Sequence, residues 1–132
     1  MTQIVANNGT YKPLYLYDSI IDNNKNILKS FRTSKSEEII SPYAITIVKE
    51  MMKDVSKEGT WKDLKDLKGG CGVKTGTAQS ISNGNKVSHG WITGFYPEER
   101  PKYAITVLVE GTKEKSKPAL PIFKEICEKL SK

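Results

Sequence analysis

The chain has 132 residues, a length that suits a single domain or a part of one. Its mean hydropathy is -0.48, and no apolar run approaches the ~20 residues that a membrane span requires. The net charge is +6, but Lys is interleaved with Asp and Glu. This pattern favours a solvated surface over a basic face, and no nucleic-acid-binding motif is present.

The first third of the chain predicts a helix end followed by a β-hairpin. The Asn-Asn-Gly run at 7–9 is a helix stop signal, so we interpret residues 1–8 as the last turns of a helix. Tyr11–Ile21 is aromatic and β-branched, and its proline limits it to an edge strand. The polar cluster Asp22–Asn26 predicts a turn, and Ile27–Thr33 predicts the second strand of the hairpin.

Residues Ser36–Lys57 show the strongest helical pattern. Ser41 is a suitable N-cap, Pro42 suits the first helical position, and Glu58–Gly59 is expected to end the helix. Apolar residues recur at three- and four-residue spacing and predict one core-facing stripe. That stripe comprises Tyr43, Ile47, Val48, Met51, Met52 and Val55.

Residues 70–110 predict a three-stranded antiparallel meander. The strands are Val73–Ser80, Val87–Tyr96 and Tyr103–Glu110, with a hairpin turn at Asn83–Asn85 between the first two. The third strand is almost continuously apolar, which predicts burial on both faces. In the second strand, two glycines four residues apart lie on one face and should let a neighbour pack very closely.

Pro118–Leu130 predicts a closing helix that packs on one face of this meander. Its apolar stripe is Ala119, Ile122, Phe123, Ile126, Cys127 and Leu130. The predicted core is Val73, Trp91, Phe95, Ile105, Val107, Val109, Phe123, Ile126 and Leu130. The fold class is therefore mixed α and β, an antiparallel sheet with a C-terminal helix on one face.

The single histidine and the two cysteines do not form a metal-binding pattern. His89 has no neighbouring ligand set, so neither a metal nor any other cofactor is expected. Cys71 and Cys127 allow one disulfide, but two buried free thiols are the favoured interpretation.

The stretch Gly70–Gln79 concentrates groups that bind anions. Period two puts Thr75 and Thr77 on one side of the strand and Lys74 on the other. The two hydroxyls could bind one carboxylate, the flexible Lys74 could add positive potential, and Gly76 would leave the backbone open to a paired ligand strand. The Thr77 N–H could serve an oxyanion. The alternative is an exposed edge strand that carries Thr for β-propensity and Lys for solubility.

The surroundings of this strand resemble a known family. Lys74-Thr75-Gly76 matches the third signature of penicillin-binding proteins and class A β-lactamases. Further matching segments lie in the same order and spacing along essentially the whole chain: Val5–Pro13, Gly59–Thr60, Gly72–Gln79, His89–Pro97 and Pro101–Ile105. The chain resembles the end of the transpeptidase domain of high-molecular-weight penicillin-binding proteins, which implies part of that fold.

The resemblance implies the chemistry of a serine D,D-transpeptidase, which cross-links peptidoglycan stem peptides and is acylated by β-lactams. Lys74 would attract the substrate or drug carboxylate and influence proton transfer. Thr75 and Thr77 would hydrogen-bond that carboxylate, and the Thr77 N–H would form half of the oxyanion hole. The implied substrate-binding positions are Gly76, Ala78 and Gln79. Trp91 and Gly94 would support the strand from its neighbour.

The sequence departs from the family pattern at its two other motifs. No Ser-x-x-Lys occurs, and Thr46-Ile47-Val48-Lys49 is a chance near-match inside a helix; no Ser-x-Asn occurs either. We therefore expect residues 1–132 to be the C-terminal portion of the domain and to be inactive alone, because acyl transfer needs a nucleophile. The alternative is a stand-alone, non-catalytic module that binds or senses β-lactams or peptide carboxylates.

The resemblance also sets expectations for partners and location. The parent protein would be membrane-anchored and act at the extracytoplasmic face of the bacterial membrane, with stem peptides or β-lactams as ligands. Met1 is not followed by a secretory signal, so a leader would have to lie upstream. Without the helical subdomain of the family, apolar surface opposite the C-terminal helix and a free strand edge should be exposed. We expect self-association or a rearranged N-terminal hairpin.

Overall fold

The computed structural model of the protein describes residues 1–32, 35–58 and 61–131. The predictions that fall on Thr33, Gly59 and Thr60 lie outside these residues. The helices are α1 (Thr2–Ala6), α2 (Pro42–Lys57) and α3 (Ala119–Leu130). The strands are β1 (Thr10–Tyr11), β2 (Ser19–Ile21), β3 (Ile27–Ser30), β4 (Glu37–Glu38), β5 (Gly72–Ser82), β6 (Asn85–Tyr96) and β7 (Tyr103–Val109). Among the described residues, no helix has the length and apolar character needed to cross a membrane.

The N-terminal segment is the predicted helix end, and the stop signal acts through its backbone. Asn8 and Gly9 have positive φ angles of 55° and 91°, which glycine and asparagine tolerate best. A Cβ on Gly9 would lie 2.0 Å from the Ile40 carbonyl oxygen. Both the positive φ angle and this close contact therefore require glycine at position 9. The chain then enters β1, which pairs with β4.

The predicted start of the long helix at Ser36 is wrong, because residues 37–38 form β4 and the helix begins at Pro42. A proline disfavours helical geometry in the residue before it, and Ser41 is extended with ψ 142°. The Ala44 N–H donates to Ser41 Oγ at 3.4 Å, so the predicted N-cap is confirmed.

The predicted hairpin is confirmed in part, with β2 paired to β3. Of the predicted first strand, Tyr11–Ile21, only Ser19–Ile21 joins this hairpin, because residues 12–18 form no strand and Tyr11 belongs to β1. Asp22 organises its turn, because its Oδ1 accepts from the backbone N–H groups of Asn24 and Asn26 at 2.8 Å each.

The apolar stripe predicted for α2 is mostly exposed rather than buried. The helix instead buries Ile45, Met52 and Ser56. Ser56 Oγ, for example, donates to the Cys71 carbonyl at 2.7 Å. The exposed apolar side chains are Tyr43, Ile47, Val48 and Met51. Periodicity identified the helix but could not identify which side is covered.

The predicted meander is confirmed as a sheet with the order β5-β6-β7, and α3 packs on one face. We call this the α3 face; its buried residues include Val73, Ile92 and Val107. The opposite α1 face carries Lys74, Trp91, Thr93, Phe95, Thr106 and Leu108. On the α3 face the core cluster is Trp61, Leu64, Leu67, Cys71, Val73, Ile92, Tyr96, Val107, Ala119, Leu120, Phe123 and Cys127.

Two members of the predicted core point the other way. Val73 pairs with Gly94, so Phe95 and Trp91 cannot share its face. Phe95 is buried in a second cluster with Val5, Ile45 and Met52, whereas Trp91 is 38% exposed. Leu130 is also partly exposed. Ile92 and Tyr96 of β6 belong to the core on the α3 face but are absent from the predicted core.

The prediction that the third strand is buried on both faces is wrong. Only Val107 is buried in β7, although Ile105 and Val109 pack partly against the core. β7 is a terminal strand of this sheet, and α3 covers one of its faces. Ala104 and Leu108 on the α1 face are therefore exposed.

Candidate functional site

β5 carries all the residues that the sequence predicted for the site, and its pairing places each on a side of the sheet. Residues paired across an antiparallel ladder point to the same face, so Lys74 shares the α1 face with its partner Thr93. Thr75 and Thr77 alternate onto the α3 face, as predicted. The cation and the two hydroxyls therefore approach the strand from opposite faces, and the strand edge is the place they have in common.

The turn after β5 determines which backbone groups point to that edge. Asn83 and Gly84 have φ values of 50° and 76°, as in a two-residue hairpin turn whose flanking residues, here Ser82 and Asn85, are hydrogen-bonded. Bonded and non-bonded pairs alternate along the ladder. Counting back from Ser82, Thr75 and Thr77 occupy non-bonded positions, so their N–H and C=O groups point away from β6.

That side of β5 is a free edge, because β5 is the terminal strand of the described sheet. From Lys74 to Ser82 no residue of the strand is buried. A ligand in extended conformation could therefore pair with the backbone of Thr75 and Thr77. The Thr77 N–H points outward from this edge, which is the direction needed to donate to a bound anion.

Lys74 is exposed and is not bound to a carboxylate among the described residues. Its Nζ donates to the Thr75 carbonyl at 2.6 Å, so the side chain curls toward the free edge. A mobile ammonium at this position can exchange the carbonyl for an incoming anion.

Behind Lys74 lies a chain of hydroxyl groups that the sequence analysis missed. Thr93 Oγ1 lies 2.7 Å from Thr2 Oγ1 and 2.7 Å from Thr106 Oγ1. The network joins α1, β6 and β7 on the α1 face. Pairing of Lys74 with Thr93 was derivable from the turn, but the position of Thr2 was not.

Thr75 and Thr77 differ in their surroundings. Thr75 is half-buried and lines a cleft of about 530 Å³ together with Trp61, Lys115 and Leu120. Thr77 is exposed. Both hydroxyls therefore flank the free edge from the α3 side.

The strand glycines fall into two groups, and the difference bears on function. A Cβ added to Gly72 would lie 2.2 Å from the Phe95 ring. A Cβ added to Gly90 would lie 2.0 Å from the Lys115 carbonyl oxygen, and one added to Gly94 would lie 2.4 Å from the Gly72 carbonyl oxygen. These close approaches confirm the tight packing predicted for the two glycines of β6. At Gly76 the nearest atom is Trp91 Cβ at 3.8 Å, so nothing within the described chain requires glycine there.

The outer part of the strand, beyond Thr77, is exposed. Ala78 pairs with His89, and Ser80 Oγ lies 2.7 Å from His89 Nε2. Polar side chains on the α1 face thus extend from Lys74 to His89, and no role for the Ser80–His89 pair follows from the sequence alone. Gln79 is exposed on the opposite face.

The described residues offer binding groups rather than an activated nucleophile. Both cysteines are free and buried, as predicted. Burial raises the pKa of Cys71 to about 11 and that of Cys127 to about 12, so the reactive thiolate is scarce at neutral pH. Thr46 donates its hydroxyl to the Pro42 carbonyl at 2.9 Å inside α2. No group of three potential metal ligands occurs among the residues that the structure describes.

Comparison with known proteins gives a consistent result. Residues 1–128 match the family model "Penicillin binding protein transpeptidase domain". A stretch of 57 residues is 37% identical to penicillin-binding protein 1A of Clostridium novyi, covering 43% of this chain and 6% of that protein.

Solved structures show the same fold. A peptidoglycan synthetase from Bifidobacterium adolescentis matches 98% of this chain with a TM-score of 0.77 and 21% identity. Penicillin-binding protein A of Mycobacterium tuberculosis, solved as an imipenem acyl-enzyme complex, matches 96% with a TM-score of 0.74 and 23% identity. The chain spans 25% and 28% of the lengths of these two structures.

Proposed function

The chain belongs to the transpeptidase-domain family of penicillin-binding proteins, which act in peptidoglycan synthesis, and from this premise we propose that residues 1–132 form the C-terminal portion of such a domain. In this role the chain supplies one wall of a serine D,D-transpeptidase site. The nucleophilic serine and its lysine, in a Ser-x-x-Lys motif, belong to a part of the domain outside this sequence.

The observation that carries the proposal is the contrast at Gly76. The other three glycines of β5 and β6 are explained by close packing, whereas Gly76 has ordinary space around it and lies on the free edge. The fold does not require glycine at position 76. The absence of a side chain there therefore suits a ligand that must approach the backbone closely.

The ligand is proposed to be a peptide or β-lactam carboxylate in extended conformation. Lys74 supplies positive potential, the hydroxyls of Thr75 and Thr77 bind the carboxylate, and the Thr77 N–H forms half of an oxyanion hole. Ala78 and Gln79 extend the paired surface along the strand. Support for a β-lactam ligand comes from the imipenem acyl-enzyme complex of the M. tuberculosis relative.

The proposed reaction is acyl transfer between peptidoglycan stem peptides, without a cofactor. The parent protein would be membrane-anchored and would act at the extracytoplasmic face of the bacterial membrane. The 132-residue chain alone would bind its ligand without being acylated, because neither cysteine is activated and no Ser-x-x-Lys occurs.

A titration with penicillin G tests this proposal. We expect NMR shifts of the Thr75 and Thr77 amides without any gain in mass of the protein. Gly76→Ala should raise the Kd obtained from these shifts at least tenfold. Ser82→Ala, on the same strand beyond the site, is the matched control. A stable penicillin adduct on this chain would overturn the inactive-fragment assignment, and unchanged affinity of Gly76→Ala would overturn the binding assignment.

The stand-alone binding module remains the second candidate, because the binding edge is preformed in the described residues. The two candidates separate when this chain is joined to the upstream half of a family domain that carries both missing motifs. Covalent labelling by a fluorescent penicillin that Lys74→Ala suppresses would support the fragment. Labelling that stays absent in a correctly folded chimera would support the module.

Self-association is proposed from the exposed apolar surface. On the α1 face, Trp91 and Leu108 are paired neighbours with 38% and 40% of their surfaces exposed, and the edge of β5 is unpaired. Sheet edges and apolar patches of this kind recruit partners. Sedimentation velocity should show concentration-dependent association, and a purely monomeric profile at high concentration would contradict it.

A further inference from the structure

A second charged cleft lies away from β5. It has a volume of about 500 Å³ and is formed by the end of α1, the following segment, α2 and the loop after β6. Three cationic side chains line it, those of Lys12, Lys49 and Arg100. The one acidic residue in its lining is Glu99, and that carboxylate is bound to Lys53 Nζ at 3.1 Å.

The three cations have no carboxylate partner within the described part of the chain. Every other lysine near this end of α2 is paired: Lys53 with Glu50 and Glu99, and Lys57 with Glu98. Lys49 Nζ instead contacts the Asn8 side-chain oxygen at 2.6 Å and lies 5.8 Å from the Phe95 ring centre.

Of these three cations, Lys49 is the one whose charge is most disfavoured by its surroundings. It is half-buried, and burial together with the nearby positive charge of Lys53 lowers its pKa. The Glu99 carboxylate opposes this shift only in part, because it is bound to Lys53. An ammonium that is partly withdrawn from water and incompletely compensated is costly, and an anion in the cleft would reduce that cost.

We propose that this cleft binds a phosphate-bearing anion with at least two negative charges. Three unpaired cations exceed what one carboxylate can neutralise, whereas a phosphate offers several acceptor oxygens to Lys and Arg at once. The side-chain amides of Asn7 and Asn8 and the Thr10 hydroxyl line the same space and can donate to further oxygens. The cleft shares no residue with β5, so this inference does not depend on the proposed transpeptidase site.

An NMR titration of the 132-residue chain with pyrophosphate at low ionic strength is the direct test. We expect saturable shifts at residues 7–10, 49 and 100, compared with sodium chloride at matched ionic strength. Lys49→Gln and Arg100→Gln should each raise the Kd at least tenfold. Both residues are solvent-accessible enough for the variants to fold, which the dispersion of the same spectra verifies.

Lys86→Gln is the matched control, because it removes one exposed positive charge from β6, outside the cleft. Its Kd should stay within twofold of the unmodified chain. Absence of saturable shifts at the cleft would overturn the proposal. So would an equal loss of affinity in Lys86→Gln and Lys49→Gln, since that would reflect net charge alone.

The phosphate could belong to a soluble molecule or to a lipid headgroup. Vesicles of phosphatidylglycerol and phosphatidylcholine separate the two sources once pyrophosphate binding is established. Co-sedimentation that pyrophosphate displaces and Lys49→Gln abolishes would support a headgroup ligand. No co-sedimentation alongside tight pyrophosphate binding would support a soluble one.

Discussion

The two faces of the β5-β6-β7 sheet differ in how tightly and how completely they are packed. On the α3 face, Val73, Ile92 and Phe123 are completely buried, and Gly90 and Gly94 admit neighbouring atoms where a Cβ would clash. On the α1 face, Phe95 is buried under α1 and α2, but Trp91 and Leu108 remain partly exposed and Lys74 reaches solvent.

This difference separates stability from function within one sheet. The α3 face should account for most of the folding free energy, because burial and close packing are concentrated there. The α1 face and the free edge of β5 hold the groups that can meet a ligand. Substitutions on the two faces should therefore separate into stability effects and binding effects.

The largest expected effect comes from Phe123→Ala, which empties the centre of the α3 face. Deleting a buried aromatic ring costs about 3–5 kcal/mol of unfolding free energy, measurable by urea denaturation. Ile122→Ala in the same helix is the control, since Ile122 is 44% exposed, and it should cost less than about 1 kcal/mol. Equal losses would show that α3 does not pack as described.

A smaller effect is expected from Gly94→Ala. The new Cβ would lie 2.4 Å from the Gly72 oxygen and 2.9 Å from Phe123 Cζ, and such overpacking costs about 1–3 kcal/mol. Gly76→Ala, with 3.8 Å of space, should stay within about 0.5 kcal/mol. If Gly76→Ala were as destabilising as Gly94→Ala, the contrast between the two glycines would fail.

The buried thiols predict a loss of stability in alkali. Because their pKa values are raised from 9.0 to about 11 and about 12, the unfolded state loses its thiol protons first as the pH rises. Stability from these groups is fully present below pH 9 and declines between pH 9 and 12. The double variant Cys71→Ala/Cys127→Ala should flatten the fall of Tm over this range. An unchanged slope would contradict burial of both thiols.

The smallest stability effect is expected from Lys74→Ala, although its effect on binding should be large. Within the described part of the chain, the Lys74 side chain makes one hydrogen bond, to the adjacent Thr75 carbonyl, so the free energy of unfolding should change by less than about 0.5 kcal/mol. Penicillin G titration should show at least tenfold weaker binding, whereas Lys86→Ala should leave affinity unchanged. Equal affinities for these two variants would remove Lys74 from the site.

Local signals predicted most of the elements correctly. The Asn83-Gly84 turn, the Ser41 cap, the Asp22 turn and the periodicity of α3 each act over a few neighbouring residues. The turn also predicts the correct faces of Phe95 and Trp91, which the predicted core placed with Val73. Counting from the turn pairs Val73 with Gly94, which puts Phe95 and Trp91 on the face opposite Val73.

The wrong burial predictions for α2 and β7 share one physical origin. A periodic pattern tells which residues share a face, but it does not tell whether another element covers that face. The stripe of Tyr43, Ile47 and Met51 on α2 and the apolar run of β7 both predict burial, and both are largely exposed.

The sequence by itself determined the strands of the β5-β6-β7 sheet, the turn between β5 and β6, the final helix and the Lys74–Thr77 motif, because backbone preferences and alternation operate over short distances. The tertiary structure decided which face of the sheet is packed and which cations, Lys12, Lys49 and Arg100, line one cleft. It also decided that the packing around Gly76 leaves space for a side chain. Those properties depend on contacts between segments far apart in the chain, and burial and charge compensation are properties of such contacts.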